Sequence, residues 1–212
     1  MRKLLTLPRV ADFSPGPDAP QWDLAPAQPL VPVSGPLDYQ TSVQCLYSDK
    51  GIYFRFLCRD ERLTCTIQED MGSLYLEDVA EVFLWPREDL PVYFEYELSP
   101  LDRELCLLVC NTGDYYGWTP FEYTGARRTR HYARAEGGKA APLSGCSGWQ
   151  CGAFLPFALL EGLCTPPRPG DRWRANFYRI DYDGDGPTHF AWDPDTHKEF
   201  HQFRRFGGLL FG

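Results

Sequence analysis

An all-β fold, an antiparallel β-sandwich of jelly-roll type with about ten strands, is predicted for this 212-residue chain. Three observations carry the prediction. Aromatic residues make up 15% of the sequence while 19 Pro and 19 Gly punctuate it, which suits many short strands joined by turns. Apolar runs of about five to eight residues end in Pro, Asn or Gly, the usual stop signals of strands. No stretch sustains the 3.6-residue period of an amphipathic helix, "PFALLEGL" offering a single turn.

The elements follow in order. Residues 1–21 are punctuated by proline and read as an irregular lead-in that wraps a single domain spanning 22–212, with Trp22 as its large anchor. "SVQCLYSDKGIYFRFLCRDE" reads as a hairpin turning at Ser48-Asp49-Lys50-Gly51. Period two then puts Ile52, Phe54, Phe56 and Cys58 on one face and Tyr53, Arg55 and Leu57 on the other. "DVAEVFLWP", "VYFEYELSP" and "RELCLLVCN" supply the next strands, and "GWQCGAFLP", "RWRANFYRID", "HFAWD" and "GLLF" complete the set. The aromatic tail is expected to be packed: Trp192, Phe206 and Phe211 are assigned to the core.

Charge and composition remove several function classes. The formal net charge of −8 repels phosphate backbones and gives no electrostatic drive toward nucleic acid. No window approaches the roughly 20 apolar residues of a membrane span, so a soluble protein with no membrane partner is expected. Thr6 and Pro8 interrupt the apolar run of "MRKLLTLPRVADF", so no export signal is read and a cytoplasmic location is expected. The eight cysteines contain no C-x-x-C pair and several lie in apolar runs; they read as reduced thiols acting as small hydrophobes.

Candidate chemistry is concentrated in two motifs. In "YFEYELS", Glu95 and Glu97 stand two apart on a strand, hence on one face at roughly 6.6 Å. That overlaps the roughly 5 to 9.5 Å separation of glycosidase carboxyl pairs. Catalytic carboxylates, however, approach the scissile bond from opposite sides, whereas these point the same way. The pair therefore reads as rim acceptors or a solvated face, with a glycoside hydrolase as the alternative. In "DYDGDG", Asp181, Asp183 and Asp185 alternate ahead of Gly186 like the start of a calcium loop, but the twelfth position is Trp192 rather than an acid. The motif reads as an acidic hairpin turn, with a calcium site at these three aspartates as the alternative.

Weaker signals complete the survey. His131, His189, His197 and His201 lack metal-ligand spacing. "GARRTRHYARAEGGKAA" reads as a solvated basic loop, and Tyr115, Tyr116 and Trp118 of "DYYGW" as exposed aromatics that could meet a protein partner.

The order of "LYSDKGIYFRFLCRDE", "YLEDVAEVFLWP", "WRANFYRID" and "FHQFRRFGGLLF" resembles the family 9 carbohydrate-binding modules, first described on xylan-degrading enzymes, over nearly the whole chain from Trp22. The resemblance implies a β-sandwich that grips the end of a sugar chain between two aromatic rings, without catalysis, and an extracellular habit. It implies Tyr75 as the first ring, with Glu81 at an acidic rim position and Asp78 between them. Phe200 stands at the second ring, followed by His201. Where those modules carry tryptophan at both ring positions, this chain has the smaller Tyr and Phe, and Glu95 occupies a basic rim position, with Glu97 two residues on. Some related modules carry structural calcium. The expected function is a non-catalytic protein that binds xylo-, cello- or other oligosaccharides or polysaccharides, with contacts from Tyr75, Asp78, Glu81, Glu95, Glu97, Phe200 and His201.

Overall fold

The computed structural model describes residues 2–121, 123–196 and 199–212, so His197 lies outside the described residues. Thirteen strands form two layers. The front layer runs β8 (Tyr116–Pro120), β7 (Glu104–Asn111), β6 (Val92–Leu98), β5 (Val79–Trp85), β11 (Arg172–Asp181) and β12 (Thr188–Ala191). The back layer runs β2 (Gln28–Ser34), β3 (Thr41–Tyr47), β4 (Gly51–Arg59), β10 (Gly148–Pro156) and β9 (Arg130–Glu136). Strand β2 belongs to both: Gln28 to Leu30 pair with β3, and Val31, Pro32 and Ser34 pair with β12 across a bulge. The short β1 (Leu4–Leu7) lies parallel to β13 (Gly207–Phe211), which extends the front layer beside the first half of β11. All other pairings between these strands are antiparallel. Helical structure among the described residues is limited to short 3₁₀ turns, including one at Phe157–Leu160.

Period two decides which side chains meet. Ile52, Phe54, Phe56 and Cys58 of β4 join Ala80, Val82 and Leu84 of β5, Phe94 and Tyr96 of β6, and Phe177 of β11 in the core between the layers. Phe54 and Phe177 touch across that gap with ring centroids 5.9 Å apart. The opposite face of β4 also finds cover: Tyr53 packs with Trp22, Leu46 and Phe154 beneath the lead-in, and Phe13 stacks on Tyr53 at 4.2 Å. The lead-in thus wraps the back layer, though it is not wholly irregular, because Leu5 and Leu7 of β1 enter the main core. Trp192, Phe206 and Phe211 are buried as expected. The basic stretch differs from the solvated loop expected of it: residues 130–136 form the half-buried to exposed edge strand β9.

The outward face of the front layer carries a second apolar cluster. Val79, Phe83 and Trp85 of β5, Tyr93 of β6, and Leu105, Leu107 and Val109 of β7 pack with Phe200, Phe203 and Phe206. Phe200, Phe203 and Phe206 therefore lie over this face, and the part left uncovered becomes a cleft.

A carboxyl-floored cleft on the outward face of the front layer

Strand register brings three glutamates to one place. Residues of β5 that alternate with core-facing Ala80 and Val82 point outward, and Glu81 is one of them. Glu95 and Glu97 of β6 likewise alternate with Phe94, Tyr96 and Leu98. Glu81 stands directly across from Glu97, and Glu95 is opposite Phe83, so the three carboxyls share the outward face. Leu107 and Val109 of β7 also face outward, and β8 pairs Val109 with Trp118 and Asn111 with Tyr116. That register delivers both rings to the same side as the glutamates.

The cleft measures about 370 Å³, within the range of small-ligand sites. Glu81, Glu95, Leu107 and Ile180 form its floor. Tyr75 and Leu76 enter from the 3₁₀ turn Leu74–Leu76, Tyr182 from the end of β11, and Tyr116 and Trp118 from β8. Glu199, Phe200, His201 and His189 complete the wall. Tyr75, Glu81, Glu95, Phe200 and His201, distant in sequence, thus line a single depression.

Two expected ligand contacts lie behind it. Asp78 is fully buried and is occupied with backbone: its carboxylate accepts from the Thr64 N–H at 2.5 Å and the Tyr182 N–H at 2.9 Å. Its work is to hold the Tyr182 wall, whose hydroxyl donates to the Tyr75 carbonyl at 3.0 Å. Glu97 is also fully buried and sits beneath the floor.

Phe200 is 7% exposed, and one face of its ring is taken by Tyr178, stacked at 3.9 Å with planes 14° apart. It backs the cleft rather than standing free in it. The Tyr178 hydroxyl donates to the Phe200 carbonyl at 3.1 Å and the Asn111 amide to the His201 carbonyl at 3.0 Å, which pins this wall to β11 and β7. The aromatic faces open to solvent at the mouth are Tyr116, 42% exposed, and Trp118, 52% exposed. Sequence reasoning offered these two, with Tyr115, as exposed aromatics that could meet a protein partner; the signal for the cleft was their alternation next to a strand whose partner residues face outward.

The electrostatics of the floor are unusual. Burial first, then the neighbouring Glu95 charge, hold the Glu81 carboxyl well above the ordinary range. Burial pushes Glu95 up to about 8, and burial together with Glu81 and Glu95 raises Glu97 further. Glu95 Oε2 has no hydrogen-bond partner among the described residues; His201 Nδ1 lies 3.9 Å away. The Tyr75 backbone approaches Glu97 without completing a hydrogen bond, and both Glu97 oxygens are unsatisfied by ordinary geometry. Burial lowers His201 to about 4, so at neutral pH it is an uncharged ring 2.6 Å from the Tyr93 hydroxyl and supplies no counter-charge. Among the described residues no Lys or Arg lines the cleft.

A second acidic group lies behind Tyr182. Asp60, Asp78 and Asp183 bring one carboxylate oxygen each to within 4.8 Å of one another, and Asp183 Oδ2 is buried without a partner. Only Asp183 of the three aspartates expected to bind calcium takes part. Asp181 shares a strand face with Arg179 and pairs with its guanidinium, besides accepting the Asp183 N–H at 2.9 Å, and Asp185 is exposed at the turn. Burial foremost lifts Asp60 to about 7, against the opposing pull of Arg179, and lifts Asp78 to about 8 with help from Asp60 and Asp181. The donor set is all oxygen, which suits a hard divalent cation, and Asp60 also pairs with the Arg179 guanidinium at 2.9 Å.

No protein-family model matches the sequence, and no curated protein matches it. Solved structures do. A provisionally assigned carbohydrate-binding protein from Bacteroides uniformis superposes with a TM-score of 0.81 at 18% identity, covering 100% of both chains. A family 9 carbohydrate-binding module from Caldicellulosiruptor kristjanssonii in complex with cellotriose gives 0.66 at 14% identity, covering 99% of this chain and 93% of that one. The same organism's module in complex with glucose gives 0.67 at 14% identity, with 99% and 96% covered. The chain has the β-sandwich fold of the family 9 modules.

Proposed function

We propose that this protein is a non-catalytic carbohydrate-binding module that takes the end of an oligosaccharide or polysaccharide into the outward cleft of the front layer. The observation that carries the reading is a cleft with aromatic walls and a floor of hydrogen-bonding carboxyls. A pyranose has apolar C–H faces and a polar rim, so planar rings desolvate the faces while carboxyl oxygens and a neutral imidazole meet the hydroxyls. Tyr75, Tyr116 and Trp118 supply the rings, with Phe200 behind them, and Glu81, Glu95 and His201 meet the rim. Family 9 modules of the same fold hold cellotriose and glucose, which favours a gluco-configured chain end.

The test is calorimetry against xylo- and cello-oligosaccharides. Tyr75→Ala and Trp118→Ala are each expected to weaken binding about tenfold or more while leaving the thermal midpoint nearly unchanged. Unaltered affinity in both variants would place the sugar elsewhere. A hydrolase using the strand pair is less well supported, because Glu95 lies in the floor and Glu97 beneath it, so the two do not bracket a glycosidic bond.

Asp60, Asp78 and Asp183 would hold a calcium ion as a structural group. The ion would neutralise the shared charge and tie the segment at residue 60 to the turn after β11. Calcium at millimolar concentration is then expected to raise the thermal midpoint by a few degrees, a chelator to reverse the gain, and Asp183→Asn to abolish it. An unchanged midpoint of the wild-type protein would sink the calcium reading.

A further inference from the structure

The cleft lining carries carboxyl groups and, among the described residues, no Lys or Arg. Glu95 is more than nine-tenths buried, lines the cleft, and presents Oε2 without a hydrogen-bond partner. Glu81 lies beside it on the same floor, with Glu97 directly across from Glu81. Three buried carboxyls face no Lys or Arg among the described residues and the adjacent His201 is neutral, so the empty cleft favours their protonated forms, and a bound cation would let them ionise. A hydroxyl offers each carboxylate one donor and no charge. An ammonium offers three donors and a positive charge that draws the carboxyls into their ionised form, in a site where water is partly excluded and charge pairing counts for more. The walls agree: Tyr75, Tyr116, Trp118 and Tyr182 present π faces, which attract cations as well as the apolar faces of a sugar ring.

We propose that the preferred ligand is an amino sugar, a chain end whose unacetylated ammonium group rests on Glu95 and Glu81 while the pyranose ring lies against the aromatic wall. The proposal rests on the carbohydrate-binding reading and narrows it to a substrate class.

Three β-1,4-linked disaccharides with the same backbone separate the possibilities by calorimetry on the intact protein at low ionic strength: cellobiose, fully deacetylated chitobiose, and N,N′-diacetylchitobiose. The expected result is that chitobiose binds at least tenfold more tightly than either of the others, with a preference that shrinks as salt is added. In Glu95→Gln, and separately in Glu81→Gln, the ratio of chitobiose to cellobiose affinity is expected to collapse toward one. The ratio is the readout, so a general loss of affinity in a variant does not mimic the effect. Glutamine keeps the size and hydrogen-bonding capacity of the protonated carboxyl, and the thermal midpoint of each variant checks that the fold is kept. Cellobiose binding as tightly as chitobiose would overturn the amino-sugar assignment and leave the carbohydrate reading standing. A chitobiose preference that survives in both variants would overturn the role of this floor. Failure of the folded wild-type protein to bind any of the three would overturn both.

Discussion

Arg179→Leu is expected to destabilise the protein by about 3–5 kcal/mol, the typical effect of breaking a buried charge pair from one side. Arg179 has no exposed surface. Its guanidinium donates to the Thr41 hydroxyl at 2.9 Å, the Arg59 carbonyl at 2.7 Å and Asp60 Oδ2 at 2.9 Å, and it also pairs with Asp181. Thr41 and Arg59 belong to the back layer and Arg179 to the front, so one side chain fastens the two layers at the end nearest the cleft. With leucine there, Asp60 and Asp181 remain buried without the cation. Arg179→Lys restores charge but not the planar fork, and is expected to recover only part of the loss. Since a domain's whole stability is commonly about 5–15 kcal/mol, a urea titration should show the midpoint falling steeply for leucine and less for lysine, with a similar slope. A midpoint for Arg179→Leu within experimental error of wild type would mean the carboxyls find other partners.

The second large effect is a fall in stability with rising pH, traced to the cleft floor. The Glu95 carboxyl has an ordinary value of 4.5 and is pushed up to about 8 in the folded protein, with Glu81 and Glu97 raised as well. Below the ordinary value folded and unfolded chains both carry these protons. Between the two values the folded chain keeps protons that the unfolded chain has released, so each increment of pH favours unfolding until the folded carboxyl ionises near pH 8. Stability is therefore greatest in mild acid and declines toward alkali. The thermal midpoint is expected to drop on the order of 10 °C between about pH 5 and about pH 9. Asp60 and Asp78 act in the same direction, so the comparison that isolates the floor is Glu97→Gln, whose midpoint should fall less over the same interval. Parallel curves for the two proteins would show that Glu97 does not ionise with a raised value.

Most of the strands that were legible in the sequence share a property: both faces are buried, and their apolar runs are nearly continuous. β4, β5, β6, β7, β10 and β11 pack between the layers on one side and beneath a covering segment on the other. The strands that escaped reading lack that signal. β2 carries Pro29 and Pro32, which argue against a strand except at an edge or bulge, and it sits where the chain bends between layers. β8 and β9 are edge strands, half-exposed and rich in polar or aromatic residues. Period two was enough to put Glu95 and Glu97 on one face. It was not enough to say that Glu81 would join them, because that depends on the register of β5 against β6. The acidic turn shows the same limit. Alternation of Asp181, Asp183 and Asp185 suggested three ligands, but the first is claimed by Arg179, and the partners of Asp183 come from segments that no local motif connects to it.

The pairing of β1 with β13 has a practical corollary for handling the molecule. Gly208 to Leu210 lie beside Arg172 to Arg174 at the start of β11, whereas Ile180 and Tyr182 at its far end border the cleft. Eight residues of extended strand separate Arg172 from Ile180, roughly 26 Å. A biotin tag or fluorescent fusion appended after Gly212 would anchor the molecule by its distal rim. On a sensor chip the mouth of the cleft would then lie at the end of β11 far from the support, within reach of a polymer too large to diffuse.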